Sequence, residues 1–145
     1  MARETVLEMN RGRYSEKIID IVYLFNEIGW KYYDIEKNVE HLSIGDKDGF
    51  NWKKAKISEY KLQELINRKQ NDSEIIGLIL HYKNSQEGLA LLAENTRNIK
   101  VSLNINRRTI GNNGQSITDI AWYFNNVVRK LDERGCPIDY FQIIL

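Results

Sequence analysis

Residues 74–110 read EIIGLILHYKNSQEGLALLAENTRNIKVSLNINRRTI, three apolar runs separated by two polar turns, with no helical period. The pattern predicts a three-stranded antiparallel meander. In the first run Ile75, Gly77, Ile79 and His81 share one face while Ile76, Leu78, Leu80 and Tyr82 share the other. Both sides are therefore apolar enough to be covered, as in a strand inside a sheet and not at its edge. In the third run Val101, Leu103 and Ile105 alternate with Ser102, Asn104 and Asn106, which gives one covered face and one wet face. A sheet of that kind takes helices on one side.

Three helices are expected to supply the cover. Ile18, Ile21, Val22, Phe25 and Ile28 recur at three- and four-residue spacing over about 15–28, with Ser15 able to cap the start and Gly29 able to end it in the left-handed conformation. Leu62, Leu65 and Ile66 mark a second helix over about 58–69. Ile120, Phe124, Val127, Val128 and Leu131 mark a third over about 117–134, opened by Ser116 or Thr118 and stopped by Gly135 and Pro137. The tail IDYFQIIL alternates as a final, buried strand, and residues 1–14 read as an arm or a short strand.

In the stretch 30–57, Tyr33, Ile35, Lys37 and Val39 alternate with Tyr32, Asp34, Glu36 and Asn38, which suggests a strand with one polar face, continued by Leu42 and Ile44. Asp46-Lys47-Asp48-Gly49 follows, and its Asp-Gly pair is the strongest two-residue hairpin signal in the chain. The same residues are not a calcium loop, because Ile57 stands where the twelfth-position glutamate is required. The expected fold is one α+β domain: a central, mostly antiparallel sheet (meander about 74–106 plus the C-terminal strand) packed by three helices.

Composition narrows the function classes. With 145 residues, 42% apolar and 28% charged, the chain is long enough for one core and too apolar for general disorder. The 21 basic and 20 acidic residues leave a formal charge of +1, so no global field favours nucleic acid or an anionic membrane. No apolar run approaches the roughly 20 residues of a membrane span. The lone Cys136 and an N-terminal sequence without a signal-peptide run point to a reducing, cytoplasmic location.

No catalytic set is evident in the residue pattern. His41 and His81 lack metal-ligand spacing, and His81 in an apolar strand reads as a structural imidazole. Cys136 lacks the neighbouring cations of a reactive thiolate. No cofactor or metal is expected. The cations from Lys53 to Lys69 raise a nucleic-acid alternative, although a solvated helix face explains them without a partner. The loop Arg108, Thr109, Ile110, Gly111, Asn112, Asn113, Gly114 raises another. It resembles the coenzyme A loop of the GNAT acetyltransferases, with Asn113 where that motif has a small residue.

A broader resemblance covers about the last 70 residues. IIGLILHYKN, then VSLNINRRTI, then SITDIAWYFNNVVRKL are similar in order and spacing to small bacterial immunity proteins encoded beside polymorphic or contact-dependent toxins. The matching positions are Asn106, Arg107, Thr118, Asp119, Trp122 and Tyr123. The resemblance implies a non-enzymatic protein that occludes the active site or substrate face of one cognate toxin domain. Physically, Thr118 and Asp119 can accept free N–H groups at the helix start, and Arg107 is placed to pair with Asp119, so Arg107, Thr118, Asp119 and Trp122 read as a structural clasp. Two partner-facing features are expected: the exposed aromatic Tyr123, and an acidic patch of Asp34, Glu36, Glu40, Asp46 and Asp48 suited to a basic nuclease.

Overall fold

The computed structural model of the protein describes residues 4–9, 14–83, 85–103, 105–111, 117–138 and 140–144. In chain order the elements are β1 (Glu4–Met9), α1 (Ile18–Glu27), β2 (Trp30–Lys31), β3 (Val39–Leu42), β4 (Trp52–Ala55), α2 (Glu59–Asn71), β5 (Ile76–Tyr82), β6 (Gly88–Asn95) and β7 (Asn98–Ser102). They continue with β8 (Thr109–Ile110), β9 (Ile117–Thr118), α3 (Ile120–Tyr123), a π-helical turn (Phe124–Val128), α4 (Arg129–Glu133) and β10 (Tyr140–Ile144). The strands form an eight-stranded sheet in the order β10-β1-β7-β6-β5-β3-β4, with β2 beside β3 on β5, and a separate two-stranded β8–β9 ribbon. The expected α+β architecture is the observed one, and the meander β5–β6–β7 is its centre.

The register explains why both faces of β5 are apolar. Ile76, Leu78 and Leu80 stand opposite Ala93, Leu91 and Leu89, and these in turn meet Ile99 and Val101 of β7. All of them belong to one core with Ile18, Ile21, Val22 and Phe25 of α1, Leu62 and Ile66 of α2, and Tyr123, Val127 and Leu131 of the last helical segment. The helices therefore lie on one side of the sheet. On the other side the sheet covers itself. Gly77 lies under Leu42 and Trp52, where an added Cβ would meet Leu42 Cδ1 at 2.7 Å and Trp52 Cη2 at 3.0 Å.

Several boundaries differ from the expected ones, each for a local reason. The α1 cap is Lys17, not Ser15. The Ser15 hydroxyl accepts the Lys17 N–H and donates to Asp20, while the first free helix N–H, that of Ile18, is taken by the Gln70 side chain from α2 at 2.8 Å. Gly29 follows the helix at φ 109°, as expected of a residue that turns the chain there. Ser58 caps α2 by accepting from the Lys61 N–H.

Residues 32–38 are not a strand. The Asp34 carboxylate accepts the N–H groups of Glu36 and Asn38, both at 2.9 Å, and this local bonding replaces a ladder. The β3–β4 connection is likewise longer than a two-residue turn. Asp46 organises it by accepting the N–H groups of Gly49, Phe50 and Asn51. The third helix begins at Ile120, because Ile117 and Thr118 pair with Ile110 and Thr109 in the β8–β9 ribbon. The expected cap Ser116 lies outside the described residues. The C-terminal strand is the outermost of the sheet, paired with β1.

Candidate functional site

The junction of β8–β9 with the last helical segment brings together most residues singled out at the C-terminal end. Asp119 caps α3 by accepting the Trp122 N–H at 3.2 Å. Its other oxygen meets an arginine, and that arginine is Arg108, not Arg107. Arg108 Nε lies 3.3 Å from Asp119, and its Nη1 lies 3.2 Å from Glu87 in the β5–β6 turn. The guanidinium also stands 5.1 Å from the centroid of Trp122. One side chain thus joins the ribbon, the helix start and the central meander. Thr118 is buried, and its hydroxyl has no hydrogen-bond partner among the described residues, so Asp119 alone provides the cap.

The expectation for Tyr123 is overturned. It is 0% exposed, and its hydroxyl accepts the Arg108 N–H at 2.8 Å, so it cannot meet a partner. Burial pushes its pKa up, against the Arg108 amide. Trp122, only partly buried, stacks edge-on with Tyr82 and Tyr123, each at 5.0 Å, and with Trp30 at 5.9 Å. Asn126, inside the π-helical turn, serves this aromatic group at two points. Its carbonyl accepts from Trp30 Nε1, and its side-chain oxygen accepts from the Tyr82 hydroxyl. Burial raises the Tyr82 pKa, but Lys130 and Lys83 more than offset it and leave the phenol lowered.

The same packing turns other apolar side chains outward. The stripe expected to face the core included Ile120 and Phe124, yet the buried row is Tyr123, Val127 and Leu131. Ile120 is 42% and Phe124 51% exposed, and the cross-strand pair Ile110 and Ile117 of the neighbouring ribbon are 51% and 44% exposed. Four large apolar residues, two paired across the ribbon and two one turn apart in the helical segment, therefore face solvent. Of the acyltransferase loop, Arg108 is occupied by Glu87 and Asp119, and Asn112, Asn113 and Gly114 lie outside the described residues.

The acidic positions are spread over β3 and the chain on either side of it. Asp34 and Glu36 lie in the turn before β3, and Asp46 and Asp48 lie in the loop after it. The Asp34 carboxylate is additionally 3.6 Å from Lys54. Burial raises its pKa, but the Asn38 and Glu36 amides, with Lys54, more than compensate and hold it below the usual aspartate value. Glu40 stands opposite Lys54 in the β3–β4 ladder. Asp34 and Asp46 serve their own loops first; Glu36 and Asp48 are exposed.

The basic run is divided in a similar way. Lys53, Lys54, Lys56 and Lys61 are exposed, whereas Lys69 is fully buried, its ammonium donating to the carbonyls of Ser43 and Asp46 and pairing with Glu74. The residue spacing carried a sign of this: Leu62, Ile66 and Lys69 share one helix face. His41 is buried, its Nδ1 3.1 Å from the Val39 carbonyl. His81 is half-buried, and burial lowers its pKa against the carboxylates of Asp34 and Glu40. Cys136 is buried.

No family model, curated protein or solved structure matches the chain. Among the described residues no helix is long and apolar enough to cross a membrane, and no group of three or more His, Cys, Asp and Glu side chains could hold a metal.

Proposed function

We propose that the protein acts by binding another protein, as a small bacterial immunity protein that neutralises a cognate toxin domain in the cytoplasm by covering its active site or substrate face. The observation that carries this reading is the exposure of four large apolar side chains, Ile110 and Ile117 on the ribbon and Ile120 and Phe124 on the helical segment that follows it. Large apolar side chains exposed on regular elements are what the centre of a protein interface requires. The residues on which the resemblance rests support the same side chains. Asp119 and Trp122, through Arg108, hold the ribbon against the helix from which these side chains project. In this reading these apolar side chains, and not the acidic positions, are the contact surface, since Asp34 and Asp46 serve their own loops.

The test is calorimetric titration with the C-terminal toxin domain encoded in the adjacent reading frame. A one-to-one complex is expected, weakened about a hundredfold or more by Phe124→Asp, the range of a central interface residue. Because Phe124 is half exposed, the variant should keep the parent melting temperature. No complex at micromolar concentration, or full affinity in a folded Phe124→Asp protein, would reject the reading.

A further inference from the structure

A cavity of about 220 Å³ is lined by Lys31, Tyr33, Asp34, Ile35, Lys37 and Lys83. Its walls come from the end of β2, the turn that follows, and the turn after β5. Three lysines thus line one small space with a single aspartate among them. Among the described residues, none of the three lies within ion-pair distance of a carboxylate. Lys31 Nζ donates to the Asn26 carbonyl at 3.1 Å, Lys37 Nζ lies 4.3 Å from the Tyr33 ring centroid, and Lys83 Nζ lies 5.2 Å from that of Tyr82. The carboxylate is neutralised within its own turn, accepting two backbone N–H groups and facing Lys54.

The backbone adds a second, independent sign. Lys37 and Lys83 both adopt left-handed conformations, at φ 67° and φ 49°, where a side chain with a Cβ is disfavoured. Each is held there by the fold. The Lys37 N–H donates to the Asp34 carbonyl at 2.9 Å, and the Lys83 N–H donates to the Gly29 carbonyl at 2.7 Å. Backbone kept in such conformations tends to cluster at ligand sites. Here two of the three cations are carried on it. Ile35, 81% exposed at the same cavity, has no packing role that explains an isoleucine.

We propose that this cavity binds a small phosphorylated molecule, its phosphate held among Lys31, Lys37 and Lys83 and its apolar part against Tyr33 and Ile35. Lysine ammonium groups act as point charges toward phosphate oxygens and satisfy them without a fixed fork geometry. A di- or trianion also offers an opposite charge to the three lysines of this wall. The volume lies below the roughly 300–1,000 Å³ of drug-sized sites, which favours a pyrophosphate-sized group over a polymer strand. This site is separate from Ile110, Ile117, Ile120 and Phe124 and stands or falls independently of the protein-binding reading.

Titration of the whole chain with inorganic pyrophosphate, followed by calorimetry, tests it. Saturable one-to-one binding is expected. The double substitution Lys37→Gln with Lys83→Gln should weaken it about a hundredfold through loss of two charge-assisted contacts, with the melting temperature of the free protein unchanged. Should the double variant not fold, Lys37→Gln alone, at an exposed turn, should weaken binding about tenfold. The proposal is overturned if no heat is seen at millimolar pyrophosphate. It is equally overturned if the folded variants bind as tightly as the parent, if sulfate at equal ionic strength gives the same isotherm, or if an oligonucleotide binds there and pyrophosphate fails to displace it.

Discussion

The ammonium of Lys69 lies 3.6 Å from a carboxylate oxygen of Glu74, and neither side chain is appreciably exposed. The same ammonium donates to the carbonyls of Ser43 and Asp46, while Glu74 accepts the N–H of Gly45. An internal cation thus gathers the oxygens of the β3–β4 loop, the part that a metal plays in other acidic loops. Replacing Lys69 by Met leaves Glu74 charged, buried and unpaired. A loss of about 3 kcal/mol or more is expected, and pairing the change with Glu74→Gln should restore part of it; urea unfolding measures both.

The same pair gives a pH dependence. Burial lowers the Lys69 pKa from the usual 10.5, against the pull of Glu74 and Asp46. The folded chain therefore gives up this proton at lower pH than the unfolded chain does. The contribution of this group to stability rises with pH between the folded value and 10.5, and is level on either side. Unfolding free energies of the parent minus those of Lys69→Met, measured from about pH 8 to about pH 11, should increase across the window. A constant difference would show that Lys69 titrates as it does in the unfolded chain.

Gly77 has no space for a side chain. The contacts of 2.7 Å to Leu42 and 3.0 Å to Trp52 that a methyl group would make require both of those side chains to move. Gly77→Ala should cost roughly 1–3 kcal/mol despite the better backbone propensity of alanine, as overpacking does in a filled core. Gly77→Ala with Leu42→Val should recover some of that loss if the clash is the cause. Unchanged stability of the single variant in urea would show that the sheet accommodates it freely.

Arg107 and Arg108 are adjacent, yet only one makes the clasp. Exposed ion pairs contribute about 0.2–1 kcal/mol each, so Arg108→Gln, which loses two pairs and the Trp122 contact, should cost about 1 kcal/mol. Arg107→Gln should stay within about 0.5 kcal/mol of the parent. A second reading comes from Glu87, whose carboxyl is held below the usual glutamate range by the Ser85 hydroxyl first and by Arg108 as well. Its NMR titration midpoint should rise in Arg108→Gln and stay in place in Arg107→Gln. Equal behaviour of the two variants would contradict the pairing.

The meander, the two well-patterned helices and the one-sided helical layer were legible because period and turn chemistry agreed along whole segments. Residues 32–38 were not, because the alternation of Tyr33, Ile35 and Lys37 is indistinguishable from that of a strand until Asp34 is seen bonding its own turn. In the last helix Val127 and Leu131 are buried as expected, and the first turn of the stripe failed for a different reason. A regular stripe through Ile120 and Phe124 was equally available to Tyr123, Val127 and Leu131, and the requirements of Trp30 and Tyr82 for Asn126 lie far away in sequence. The choice between Arg107 and Arg108 depends on where the ribbon turns, which neighbouring identical residues cannot reveal. Lys69 was readable from its place after Leu62 and Ile66, but charge alone argued for solvent. At the candidate site, composition supplied the residue types while long-range packing decided which of them face outward.

The placement of β1 between β7 and β10 has a consequence for biosynthesis. The first strand can dock on β7 once residue 102 has been made, but its other flank pairs Glu4 with Ile144 and so waits for residues 140–144. Through that interval a nascent chain carries an unpaired backbone row next to the ribosome exit, open to neighbouring chains. Premature termination before residue 140 would leave β1 itself as the outermost strand, in the place that β10 takes in the longer chain.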